Sequence, residues 1–104
     1  MDTMIVIYNL AKGQTQEGFE QWLREVDLPG YARMSSLRNP SYYRTGTLLG
    51  EDAPAPHRYV VTIDMAGPAA VEKEMAEPEW GAFIADFEVR TKDAVFVTAA
   101  KIAP

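Results

Sequence analysis

The sequence predicts an α+β fold, a four-stranded antiparallel sheet with its helices on one face. Three observations predict it. Four segments are rich in β-branched and aromatic residues. Two segments place apolar residues at i, i+3, i+4 and i+7, the stripe of a helix buried along one side. Along the chain the order is strand, helix, strand, strand, helix, strand, the split β-α-β pattern of ferredoxin-like folds. Residues 1–104 read as a single domain, since a chain of this length buries roughly two-thirds of its surface around one core.

The first strand spans residues 4–10, Met-Ile-Val-Ile-Tyr-Asn-Leu. Both parities are apolar, so it is covered on both faces. Lys12 and Gly13 break it, and a helix follows over 15–27 with Phe19, Trp22, Leu23 and Val26 on its apolar stripe. Thr15 is its N-cap and Glu17 suits its first turn. Pro29 and Gly30 end it, with at most one further turn over 31–34. The second strand spans 37–45, and Pro40 assigns it to a sheet edge or a bulge. A loop over 46–56 is long for a hairpin connection. The third strand, 58–65, carries Tyr59, Val61, Ile63 and Met65 on one face. Gly67-Pro68 opens the second helical region, which Pro78 divides. Its second piece, 78–89, repeats the stripe with Trp80, Phe83, Ile84 and Phe87. Lys92-Asp93 turns the chain into a fourth strand over 94–102, with Val95 and Val97 on one face and Phe96 on the other.

Composition removes several function classes. Ten Lys and Arg stand against fifteen Asp and Glu, a net charge of −5, which disfavours nucleic acid. There is no cysteine, so disulfides, thiolate nucleophiles and cysteine metal sites are excluded. A single histidine excludes a multi-histidine zinc site within one chain. No calcium loop, phosphate-cradling glycine loop, dinucleotide fingerprint or G-x-S-x-G elbow occurs. No metal and no cofactor are expected. No window approaches the about 20 apolar residues of a membrane helix, and no signal peptide is visible, so a cytoplasmic protein without membrane contact is expected. The acidic surplus is concentrated between Glu72 and Glu88, where a solvated helix face is expected.

The strands are apolar on both parities, yet helices cover only one sheet face. The other face exceeds what a monomer usually exposes. A homodimer packed sheet to sheet, with helices outside, removes the problem.

A few side chains are placed to do chemistry. Asp27 falls at the predicted C-terminus of the first helix, where the helix dipole disfavours a negative charge. Broken local rules concentrate at functional sites. A pocket carboxylate there is a general base with a pKa raised by burial; a solvated turn aspartate is the plain alternative. Arg44 pairs with Asp27 or binds an enolate or carboxylate oxygen; otherwise it blunts an edge strand. His57 is the only imidazole, the side chain that ordinarily titrates near neutrality, and stands where the proline-rich loop meets the third strand. Tyr8, Tyr43, Tyr59, Trp22 and Trp80 are core aromatics or, with their polar tips, substrate-binding groups for a flat ligand.

Phe19-Glu20-Gln21-Trp22, Val26-Asp27-Leu28-Pro29, Tyr42-Tyr43-Arg44, Thr47-Leu48-Leu49-Gly50, Pro54-Ala55-Pro56 and the run from Tyr59 to Asp64 follow one another in a characteristic order. In this the chain resembles the dimeric α/β-barrel superfamily, and within it the RedY-like group associated with biosynthesis of prodigiosin-type pyrrole pigments. The resemblance implies secondary, antibiotic-type metabolism and a small aromatic, pyrrolic or polyketide-like ligand. The superfamily holds cofactor-free monooxygenases, polyketide cyclases, lactone isomerases, haem-degrading enzymes and stress-responsive proteins. The expectation is a cofactor-independent cyclase or isomerase. Asp27 or His57 moves a proton, Arg44 steadies the oxyanion, and the aromatics orient the substrate. The alternatives are a cofactor-free monooxygenase and a non-catalytic small-ligand binder.

Overall fold

The structure, a computed structural model, describes residues 2–104. Its strands are β1 (Asp2–Leu10), β2 (Leu37–Arg44), β3 (Tyr59–Met65) and β4 (Thr91–Ala100). They form one antiparallel sheet in the order β2-β3-β1-β4. The helices are α1 (Gln16–Trp22), α2 (Leu28–Ala32), α3 (Pro68–Met75) and α4 (Gly81–Arg90). A π-helical turn, Leu23–Asp27, joins α1 to α2, and a 3₁₀ turn, Pro78–Trp80, leads into α4. This is the ferredoxin-like α+β fold that the order of elements predicts.

Strand parity decides what each face buries. Met4, Val6 and Tyr8 of β1 and Tyr59, Val61, Ile63 and Met65 of β3 point under the helices into the core. Phe19, Trp22, Leu23, Tyr31 and Trp80 meet them from above. Aromatic rings make up the centre: Tyr8 stacks on Tyr59 at 5.7 Å and meets Phe19 and Phe87 edge to face at 5.7 and 5.1 Å. The opposite face carries Ile5 and Ile7 beside Val97 and Val95, with Val60 and Tyr43 beyond. Val95 and Val97 are 45% and 40% exposed, an apolar surface that no helix covers.

The first helical segment departs from expectation. Thr15 caps it, its Oγ1 accepting from Gly18 N at 3.1 Å. The helix does not end at Pro29-Gly30 but continues through Ala32. The cause is the π turn, in which Leu28 N donates to Leu23 O five residues back. One residue is thereby inserted into the helix, and Pro29, which has no N–H to place, follows the wide turn at little cost. The insertion also rotates the buried stripe. Val26, expected in the core, is 43% exposed, and Asp27 takes its place at 3% exposure. Gly30 then lets the Phe83 ring of α4 lie directly against the helix.

Both edge strands are irregular. In β2 the register shifts between Arg38 and Ser41, where Asn39 has a φ of 54° and Pro40 follows. Pro40 therefore sits at a bulge on an edge strand, where proline is tolerated. Lys92-Asp93 is not the turn expected from sequence. α4 passes directly into β4, Asp93 (φ 57°) lies within the strand, and the register against β1 shifts nearby. β4 ends at Ala100, earlier than expected. Asp64 lies inside β3 and accepts from Asn39 Nδ2 at 3.2 Å.

Two acids of the 72–88 cluster are not simply solvated. Glu74 accepts from the backbone and hydroxyl of both Ser35 and Ser36, tying α3 to the start of β2. Asp86 accepts from Trp22 Nε1 at 2.8 Å and from Arg90 Nε at 2.9 Å, tying α4 to α1.

Candidate functional site

The first helical segment and the edge strand β2 diverge at one end of the sheet and leave a cleft of about 330 Å³. Its helical wall is Glu20, Leu23, Arg24 and Leu28, with Leu23 and Arg24 three and four residues on from Glu20 and Leu28 four on from Arg24. Tyr42, Tyr43, Arg44 and Tyr59 form the strand wall. The lining is mixed, apolar with few polar tips, as small-molecule sites commonly are.

One polar network frames the mouth. Glu20 accepts from Tyr59 Oη at 2.8 Å and pairs with Arg44 Nε at 2.9 Å. Arg24 approaches the same carboxylate at 3.6 Å. Two guanidinium groups thus share one carboxylate and leave a net positive rim suited to an anionic oxygen. Burial first, and the bond to Glu20 second, push the Tyr59 phenol up to about 12.

A second network lies deeper. Tyr42, a residue of the cleft wall, donates its Oη–H to Asp27 Oδ2 at 2.7 Å. The other oxygen, Oδ1, and the phenol of Tyr8 are both buried, and neither finds a hydrogen-bond partner among the described residues. Burial pushes the Asp27 carboxyl up to about 6. The Tyr42 bond works against that rise and the Asp86 charge adds to it. Tyr8, Tyr31 and Tyr42 are all pushed well above the ordinary phenol range, by burial first and the Asp27 charge next. They remain neutral phenols, and Tyr42 is the one that donates to Asp27. A carboxylate that titrates near neutrality beside a neutral phenol can take up and return a proton.

The structure gathers part of the sequence-derived set. Arg44, Tyr43 and Tyr59 line the cleft. Asp27 is hydrogen-bonded behind Tyr42, and Tyr8 stands beside Tyr59 on the neighbouring strand. Asp27 stands within a continuing helix rather than at its C-terminus, so the dipole argument does not account for it; the π turn does. Arg44 pairs with Glu20 instead of Asp27. His57 is not brought to the cleft: it is half-buried in the loop, where its carbonyl accepts from Thr45 Oγ1 at 2.6 Å. Trp22 is buried, its Nε1 bonded to Asp86 and its ring under Arg90. Trp80 packs against Phe83 and under Arg33, also away from the cleft. Among the described residues no three His, Asp or Glu side chains gather where they could share a metal ion. Among the same residues no helix is long and apolar enough to cross a membrane.

Sequence reasoning does not single out Glu20, Arg24 or Tyr42 as site residues. A signal for Tyr42 exists. Alternate residues of a strand share a face, so parity groups Tyr42, not Tyr43, with Arg44. Glu20 carries no such signal, because the π turn after Trp22 breaks the helical spacing that would relate it to the residues beyond.

Comparison with known proteins agrees with the fold. The family model for REDY-like protein HapK matches residues 2–102. Crystalline HapK from Hahella chejuensis is similar at 21% identity, covering 100% of this chain and 95% of its own, with a TM-score of 0.79. A mutant form of SnoaB, a cofactor-independent oxygenase from Streptomyces nogalater, is similar at 12% identity over 99% of this chain and 94% of its own, TM-score 0.72. A dimeric ferredoxin-like protein of unknown function from Thermobifida fusca is similar at 21% identity over 96% of this chain and 90% of its own, TM-score 0.66. None of the curated proteins matches the sequence significantly. With the family model spanning nearly every residue that builds the sheet, the π turn and the cleft, the chain belongs to the REDY-like HapK family.

Proposed function

We propose that the protein is a cofactor-independent enzyme that moves a proton on a small aromatic, pyrrolic or polyketide-like molecule in a cyclisation or isomerisation. Asp27 is the proton acceptor, and Arg44 steadies the oxyanion that deprotonation leaves. Tyr42 and Tyr59 flank the substrate, while the ring of Tyr43 belongs to the opposite sheet face. The observation that carries this reading is the Asp27 carboxyl, 3% exposed and raised to about 6, bonded to a phenol on the wall of an arginine-rimmed cleft. A group with that pKa exchanges its proton near neutrality, where a general base works best. The uncovered apolar sheet face supports a homodimer, as does the likeness to a dimeric ferredoxin-like protein. Light scattering tests this; a mass near 11.6 kDa at micromolar protein would sink the dimer.

The likeness to a cofactor-independent oxygenase favours one second reading. The anion made by the same deprotonation is then the species that reacts with dioxygen. Native mass spectrometry of freshly purified protein identifies any retained molecule. That molecule, with a panel of 1,3-diketones and hydroxynaphthalenes, is then incubated in deuterated buffer. Exchange at an acidic position is expected to fall by about 10²–10⁴ in Asp27→Asn. Dioxygen uptake in step with exchange selects the oxygenase reading. A retained molecule that neither exchanges nor is converted would sink both enzyme readings and leave a binder.

A further inference from the structure

Asp27 does not itself line the cleft; Tyr42 does. Tyr42 lines the cleft, and its phenol donates to Asp27 Oδ2 at 2.7 Å. We propose that Tyr42 is the catalytic residue that exchanges the proton with the substrate, and that Asp27 is the positioning residue behind it that stores that proton. This rests on the proton-transfer reading above.

The relay balances without any co-reactant. On the outward step a substrate C–H or O–H bond breaks and a new O–H bond forms at Tyr42 Oη. The original Tyr42 O–H bond breaks at the same time, and its proton bonds to Asp27 Oδ2. The electron pair stays on the substrate and collects on an oxygen facing Arg44. On the return step Asp27 gives its proton to Tyr42 Oη, and Tyr42 gives the other proton to a different atom of the same molecule. The net change is an isomerisation. The substrate class that fits is an enolisable carbonyl compound or a hydroxyarene, whose anion places its charge on oxygen. Because both transfers are coupled, a free tyrosinate is never formed.

The surroundings give the relay its direction. While Asp27 is ionised, the Tyr42 proton points inward to Oδ2. Once Asp27 is protonated it can donate to Tyr42 Oη, and the phenol proton is free to turn to the cleft. The other polar groups facing Asp27 are Tyr8 from β1, Tyr31 from α2 and Asp86 from α4. Tyr8 and Tyr31 stay neutral through the physiological range, and Asp86 is held by Arg90 and Trp22. Asp27, its carboxyl pushed up to about 6, changes charge near neutrality.

Protein labelled with ¹³Cζ-tyrosine, which carries five tyrosines, tests the coupling without any ligand. The Tyr42 signal, assigned by its loss in Tyr42→Phe, is followed from about pH 4.5 to 8.5. It is expected to move with a midpoint near the Asp27 value of about 6 and to stay flat in Asp27→Asn. A flat wild-type signal overturns the relay. The exchange assay supplies the second arm. Tyr42→Phe and Asp27→Asn should each lose about 10²-fold or more, with the double variant no worse than either single, the pattern of groups that act as a unit. If Tyr42→Phe retains nearly full exchange while Asp27→Asn does not, the relay is wrong and the Asp27 reading survives. If neither variant loses exchange, the proton-transfer reading itself falls.

Discussion

Two carboxylates join helices to the neighbourhood of β2, and their chemistry is opposite. Glu74, on α3, receives four hydrogen bonds from the backbone and hydroxyl groups of Ser35 and Ser36. Burial tends to raise its pKa, but these donors outweigh it and hold the carboxyl below its ordinary value. Asp27, on the π turn, receives one hydrogen bond, from Tyr42, and keeps one oxygen without a partner among the described residues. There burial wins and the carboxyl rises to about 6. Donor number and depth of burial together decide between the two outcomes, Asp27 being far more deeply buried than Glu74. A well-served carboxylate is a fastener that stays ionised. An under-served, buried one is unstable as an anion and free to exchange a proton, a local cost expected at a working site.

The largest expected effect is at Asp27. Its folded value of about 6 exceeds the ordinary 3.8, so between those pH values the folded state holds a proton that the unfolded chain has lost. Stability therefore falls as pH rises from about 4 to about 6 and stays low above, by about 3 kcal/mol for a shift of this size. Asp27→Asn should accordingly stabilise the protein by up to about 3 kcal/mol at pH 8 and hardly at all at pH 4. Urea denaturation at the two pH values measures it. Equal effects at both would show that Asp27 carries no such cost.

Glu74 should respond with the opposite sign. A lowered folded pKa contributes stability above the ordinary 4.5, and that contribution is lost as pH falls through the folded value. Glu74→Gln is expected to cost about 2 kcal/mol at pH 7, the scale of hydrogen bonds to a charged group, and progressively less in acid. A loss that is independent of pH would break the contrast between the two acids.

The smallest effect comes from trimming the single donor of Asp27. Tyr42→Phe leaves the ring in place but removes the one bond that lowers the Asp27 pKa. The carboxyl should titrate above the wild-type value in a carbon-detected NMR titration, with about 1 kcal/mol of stability lost at pH 8 and less at pH 5. A downward shift would mean that Tyr42 does not serve the anion.

Much of the fold is legible in the sequence because it depends on local periodicity. Alternation in 59–65 and the 3.6-residue stripes around Phe19 and Trp80 specify their faces whatever packs against them. Pro40 marks an edge or a bulge from sequence alone, because a missing N–H excludes it from a regular central strand. The site is less legible. The sequence points to Asp27 through a helix end, yet Asp27 is buried because a π turn inserts one residue, and periodicity assumes that none is inserted. Lys92-Asp93 looks like a turn because Asp tolerates a positive φ, and an irregularity inside β4 uses the same φ. The parity that joins Tyr42 to Arg44 is visible in the sequence, but parity does not say which helix stands opposite that face.

By itself the sequence determined the order of elements, the residues that share a face of each strand, and an apolar sheet surface left without cover. These follow from side-chain period and from the number of helices the chain can supply. Only the tertiary structure decided that Arg44 meets Glu20, that Tyr42 reaches Asp27, and that His57, Trp22 and Trp80 lie elsewhere. Those pairings join residues far apart in the chain across a helix–strand gap. The width and angle of that gap are set by the packing of Tyr8, Phe19 and Tyr59 beneath it, and no local pattern in the sequence records that packing.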